Sequence, residues 1–97
     1  MKNYEFFIDT EEKLREIFAE HCDLSPEQYL ELKAEFIYLI SDYQEAEPLE
    51  EIENRVNYLR AVSEFLYNTK ELTLKEKYEL DDLIETIVEE GAAYGQA

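Results

Sequence analysis

The chain has 97 residues and carries 25 Asp and Glu against 9 Lys and Arg, a formal net charge of −16. That length suits one small core rather than two, and the charge runs against direct binding of nucleic acid or an anionic membrane surface, since both draw their affinity from cationic side chains. Leu, Ile, Val and Phe make up 27 of the 97 residues, above the roughly 20% below which a highly charged chain fails to fold, so an ordered domain over residues 1–97 is expected.

The opening residues do not read as a helix. Phe6, Phe7 and Ile8 are consecutive large apolar residues without a helical repeat, so residues 1–9 are read as an extended arm or short strand on the core. Asp9 and Glu12 have capping-box spacing, and Leu14, Ile17, Phe18 and Cys22 fall on one face, which predicts a first helix over about 10–22.

The strongest local signal follows in Ser25-Pro26-Glu27-Gln28: a hydroxyl for the N3 amide, a proline suited to the first turn, and a glutamine able to reach back to the cap. Tyr29, Leu32, Phe36, Leu39, Ile40 and Tyr43 continue at spacings of three and four, widened by Leu30 and Ile37, and predict a second helix over about 26–43.

Pro48 breaks that pattern. Leu49, Ile52, Val56, Leu59 and Leu66, with Ser63 in the remaining heptad position and Val62 and Phe65 at the edge, predict a third helix over about 48–68; the stripe reads as an internal packing seam, with a dimer seam as the alternative. Thr73 and Glu76 form another capping-box pair. Leu80, Leu83, Ile84, Ile87 and Val88 then predict a fourth helix that Gly91 ends, with a frayed tail over 92–97.

Short connections between four amphipathic helices favour antiparallel neighbours. The expected fold is all-α, a compact antiparallel bundle of about four helices with a short extended N-terminal arm. Its core is expected to be built from Ile17, Phe18, Leu32, Phe36, Leu39, Ile52, Val56, Leu59, Leu83, Ile84 and Ile87.

Chemistry-bearing residues are few. His21 is the single histidine and Cys22 the single cysteine; adjacent helical residues point about 100° apart, so they do not face each other as base and nucleophile. Cys22 is read as a core-edge residue and His21 as placed near a helix C-terminus. Asp81, Asp82, Glu85 and Glu89 form the densest local carboxylate group, without the loop of a calcium site or the Glu-x-x-His pairs of a di-iron bundle. The glycines, Gly91 and Gly95, build no phosphate cradle. No catalytic residue, metal or cofactor is expected, and the protein is read as a binder rather than an enzyme. One cysteine, no signal-peptide pattern and a longest apolar run of five residues, Phe36 to Ile40, give a cytoplasmic expectation with no membrane span.

Two biases point toward a partner. Eight tyrosines stand against no tryptophan, and tyrosine is favoured at interface centres. Tyr29, Tyr43, Tyr58 and Tyr78 read as structural, and Tyr38 and Tyr67 lie nearer polar faces as candidate contacts. Acids recur every four residues at Glu12, Glu16 and Glu20, at Glu27, Glu31 and Glu35, and at Asp81, Glu85 and Glu89, forming helical stripes about 6 Å per step. Unpaired, such stripes cost on the order of 2 kcal/mol relative to a surface of mixed charge. They offer a negative surface to a basic protein.

In size, charge and helicity the chain resembles the small acidic helical inhibitors that phages and mobile elements use against restriction or CRISPR nucleases, several of which are DNA mimics. The resemblance is one of type and carries no motif. It implies an inhibitor of a basic nucleic-acid-binding protein, with Glu27, Glu31, Glu35, Tyr38, Tyr67, Asp81, Asp82, Glu85 and Glu89 as the candidate partner-binding residues. An immunity protein or antitoxin acting on a basic toxin, and a helical assembly module able to form a homodimer, are the alternatives.

Overall fold

Caps define the fold most sharply where the sequence signals them most strongly. The computed structural model describes residues 4–95, and the side chains of residues 5–91. Its elements are α1 (Tyr4–Ile17), α2 (Pro26–Gln44), α3 (Leu49–Asn68) and α4 (Leu74–Gly95), with no strand among the described residues. The amide of Gln28 donates to the Ser25 hydroxyl at 3.1 Å, and the Ser25 amide donates to the Gln28 side chain at 2.9 Å. Thr73 and Glu76 repeat the arrangement at 3.1 and 2.8 Å at the start of α4. Each box satisfies amide donors that a helix N-terminus otherwise leaves unpaired.

The C-termini of α2 and α3 close by a device that the sequence conceals. Ala46 and Lys70 adopt positive φ of 55° and 66°. The amides of Ala46 and Glu47 donate to the carbonyls of Tyr43 and Asp42, and those of Lys70 and Glu71 to Tyr67 and Leu66. These are Schellman motifs without the customary glycine, so each turn holds an L-residue in a left-handed conformation that costs about 1 kcal/mol.

The N-terminal region departs from expectation. Residues 4–9 belong to α1 and not to an extended arm, while residues 1–3 lie outside the described residues. Thr10 explains the difference: only 2% exposed, it fills a core-facing position between Phe6 and Leu14, and its hydroxyl donates to the Phe6 carbonyl at 2.9 Å. That local bond removes the cost of burying the hydroxyl, and a polar residue in the stripe hides its helical period. Asp9 and Glu12 are therefore mid-helix positions and not a capping box.

The helix also ends earlier than expected, at Ile17, leaving His21 and Cys22 in the connection to α2. The longer connection turns the chain and buries both Phe18 and Leu24.

At the other end α4 runs through Gly91 to Gly95, so residues 92–95 of the expected tail are helical and 96–97 lie outside the described residues. Gly91 is not a stop. A Cβ built there would lie 2.5 Å from ring atoms of Tyr43, so the missing side chain is what lets the Tyr43 ring approach α4.

All the expected core residues face the interior, with Ile17 at its edge, joined by Leu14, Leu24, Ile40, Leu66, Leu72 and Leu80. Full burial of each such side chain contributes about 1.5–3 kcal/mol before entropy is counted. Leu49, expected on the packed stripe of α3, is instead 67% exposed at its first turn. Helices α2 and α4 touch each other and both remaining helices, whereas α1 and α3 occupy opposite flanks without meeting. Cross-helix pairs show the directions: Lys33 with Glu11 at 3.2 Å and Tyr29 with Phe18 run α2 antiparallel to α1, and Gln28 with Glu71 and Asp42 with Arg55 do so for α2 and α3. This is an antiparallel four-helix bundle.

Candidate protein-binding face

The two sides of α3 differ in kind. Ile52, Val56, Leu59, Ser63 and Leu66 are buried on one side. On the other, Asn54, Asn57, Tyr58, Ala61, Phe65 and Asn68 recur at the same helical spacing, and all are exposed. In a chain of charge −16 this outward strip holds no charge. Its aromatic members are the opposite of what their neighbours in sequence imply: Tyr58 is 55% and Phe65 62% exposed, although both read as packing residues.

Along the α2 side of the strip runs a shallow groove of about 220 Å³. Its floor includes Leu59, Val62 and Leu66, and Glu31, Glu35, Tyr58 and Phe65 stand along its walls. Of the α2 acid stripe, Glu27 and Glu31 are exposed and make no ion pair among the described residues. Glu35 is different. Its carboxylate accepts from Arg55 Nη1 at 3.0 Å, while Arg55 Nε donates to Asp42. The same guanidinium sits 5.4 Å from the centre of the Tyr38 ring, a cation–π distance. The Asp42 hydrogen bond foremost, then Glu35, push the Arg55 pKa further up. Tyr38 is half exposed beside this cluster.

The α4 acids meet cations of their own. Lys77 donates to Asp81 at 2.8 Å, a bond that raises the Lys77 pKa, and Arg60 of α3 pairs with Glu85. Asp82 and Glu89 remain exposed and make no ion pair among the described residues. Tyr67 is half-buried against the core rather than presented to solvent, whereas Tyr78, read as structural, is exposed with Lys77 over its ring. The first stripe is broken, because Glu20 lies beyond the end of α1 and Glu16 pairs with Lys13 at 3.4 Å. The structure thus brings Glu31, Glu35 and Tyr38 beside α3, with Glu27 one turn before Glu31 on α2. It places Asp81, Asp82, Glu85 and Glu89 on the far side of that helix.

Sequence reasoning missed Tyr58, Val62 and Phe65 as neighbours of the α2 acids. For Tyr58 and Phe65 the available signal was spacing: positions 54, 58, 61, 65 and 68 repeat by three and four and lack charge, a second stripe opposite the core stripe.

His21 Nε2 is 3.4 Å from Asp23 and its Nδ1 is 3.5 Å from Glu76, beside the start of α4 and not a helix C-terminus. Cys22 is exposed rather than core-edge, with its Sγ 3.9 Å from the Leu24 carbonyl. The pair does not form a nucleophile and base. No group of three His, Cys, Asp or Glu that could hold a metal ion occurs among the described residues, and no described helix is long and apolar enough to cross a membrane. A wider opening of about 700 Å³ lies between Tyr43, Leu49, Ile52 and Val88 at the other end of the bundle.

The chain matches no model of a protein family, no curated protein and no solved structure, so the functional reading rests on the residues of the α2–α3 face themselves.

Proposed function

We propose that the protein is a stoichiometric inhibitor that binds a basic protein and occupies its nucleic-acid-binding surface. The observation that supports this most directly is the α2–α3 face, where unpaired Glu31 shares a groove with exposed Tyr58 and Phe65, and unpaired Glu27 lies one turn before Glu31 on α2. Carboxylates steer a cationic partner and set its orientation, and exposed aromatic rings add the apolar area that holds it. A generic soluble surface needs neither the excess charge nor the rings. Inhibitors of phage or mobile-element origin directed at restriction or CRISPR nucleases are the class this profile fits.

The test begins by isolating the partner on the immobilised chain at low salt and then measuring displacement of labelled nucleic acid from that partner. Displacement at one-to-one stoichiometry is expected, weakening as salt rises from about 50 to about 500 mM because exposed charge pairs are screened. Joint Glu27→Lys and Glu31→Lys substitution should slow association while the helical circular dichroism stays intact. Coexistence of partner, nucleic acid and this protein at undiminished affinity would contradict competitive blockade.

A second reading follows from the uncharged strip on α3. Two copies of so acidic a chain repel each other least along such an uncharged strip, which suits α3 to self-assembly. Sedimentation equilibrium separates the readings: a dimer lost on Phe65→Ser favours assembly.

A further inference from the structure

We infer that the α2–α3 groove is a docking site for an arginine-bearing amphipathic segment of the partner, with a guanidinium seated between Glu31 and Tyr58 and an apolar side chain against Val62 and Phe65. This deepens the reading above and rests on it. Arg55 displays within the fold the chemistry this surface holds. One guanidinium lies between an α2 carboxylate, Glu35, and Asp42, with the Tyr38 ring 5.4 Å away. Planar, delocalised and weakly hydrated, a guanidinium is suited to bonding carboxylates edge-on while stacking on a ring.

One turn along, the antiparallel pairing again brings a carboxylate and a ring to the same groove, here one carboxylate from α2 and a ring from α3. Glu31 precedes Glu35 by four residues and so lies on the same side of α2. Tyr58 follows Arg55 by three on α3, and because the helices run in opposite directions both steps lead the same way along the groove. Glu31 and Tyr58 line one groove, and neither is engaged by a cation among the described residues. Where the first position is filled by the chain's own Arg55, the second is open.

Beyond it the groove turns apolar. Val62 is half-buried on the floor and Phe65 is 62% exposed on the wall. A segment carrying an arginine and, one helical turn away, a leucine or phenylalanine would satisfy both halves. Charge selects this occupant over an acidic or neutral one, since Glu31 lines the groove without an ion pair among the described residues.

The experiment records amide nitrogen–proton spectra of the full-length chain during titration with three synthetic amphipathic peptides at low salt. One combines arginine with leucine, one replaces arginine by lysine, and one replaces leucine by serine. Shifts should concentrate at Glu31, Tyr58, Val62 and Phe65. Affinity should fall about two- to fivefold for the lysine peptide and for Glu31→Gln or Tyr58→Ala, and remain unchanged for Asp82→Asn on the other side of α3. Equal affinity for the arginine and lysine peptides would overturn the guanidinium site. Salt-sensitive binding centred on Asp82 and Glu89 would overturn this docking site while leaving the basic-partner reading in place. Absence of binding by any of the three peptides would overturn both. Concentration-dependent shifts at Phe65 without peptide would assign the groove to a second copy of the chain and overturn the inference as well.

Discussion

The two flanks of α3 carry similar numbers of acids and treat them differently. On the α4 flank the cations are spread out: Lys77 meets Asp81 and Arg60 meets Glu85, with both partners of the second pair about half exposed. On the α2 flank one cation serves two acids. Arg55 holds Glu35 and Asp42 in a partly buried cluster, leaving Glu27 and Glu31 with none. On the first flank each cation takes one acid and Asp82 and Glu89 stay unpaired among the described residues, whereas on the second a single cation takes two acids and Glu27 and Glu31 stay unpaired. Whether an acidic stripe is available to another molecule is therefore set by where the few basic residues fall in register, and not by the number of acids.

Removing the two arginines breaks this comparison most directly. Arg55→Ala leaves partly buried Glu35 and Asp42 without their shared donor and is expected to cost about 1–2 kcal/mol. Arg60→Ala removes an exposed pair and should cost under about 0.5 kcal/mol. Urea unfolding of both variants measures the difference; equal losses would mean that the two flanks are energetically alike.

The turns at either end of α3 sharpen the contrast by a smaller amount. Ala46→Gly and Lys70→Gly relieve the left-handed strain at the two Schellman turns and should each raise stability by about 0.5–1 kcal/mol, partly offset by the greater freedom of glycine in the unfolded chain. Thermal melts check this. A loss of stability at either position would show that its side chain contributes more than the strain costs.

The smallest effect belongs to the α2–α3 connection, where Glu47 stands among like charges. Its pKa is raised above the ordinary 4.5, by desolvation first and then by Glu51, Asp42 and Glu45. A carboxyl whose folded pKa exceeds its unfolded value leaves the fold unpenalised below the unfolded value and weakens it as pH rises through the folded one. Glu47→Gln should therefore be slightly more stable than the parent at pH 7, and the gap should close as pH falls toward 4.5. Melting temperatures across that range provide the check; a gap that stays constant or widens on acidification would show that Glu47 is not crowded.

Much of the bundle was legible in the residues because the signals were local. Ser25 with Gln28, and Thr73 with Glu76, place the starts of α2 and α4, since a capping box is read within four residues. The apolar periods of α2, α3 and α4 supplied the core for the same reason. Local reading failed where one residue answered to a distant neighbour. Thr10 obscured the period of α1 by occupying a core position, and Gly91 resembled a helix stop although it is there for the ring of Tyr43.

The candidate face shows the same division. The exposed acids at Glu27 and Glu31 follow from helical spacing alone, and so does Tyr38 on the polar side of α2. The pairing of Glu35 with Arg55, twenty residues away, does not, nor does the half-buried position of Tyr67.

By itself the sequence determined the fold class, the number of helices and the acidity of their outer faces, because helical period, caps and charge are properties of neighbouring residues. The tertiary structure alone decided which acids are neutralised, which aromatic residues stay outside, and that Glu31 and Tyr58 share one groove. Those depend on how far one helix is shifted along another, and that shift is set by side-chain packing in the whole core.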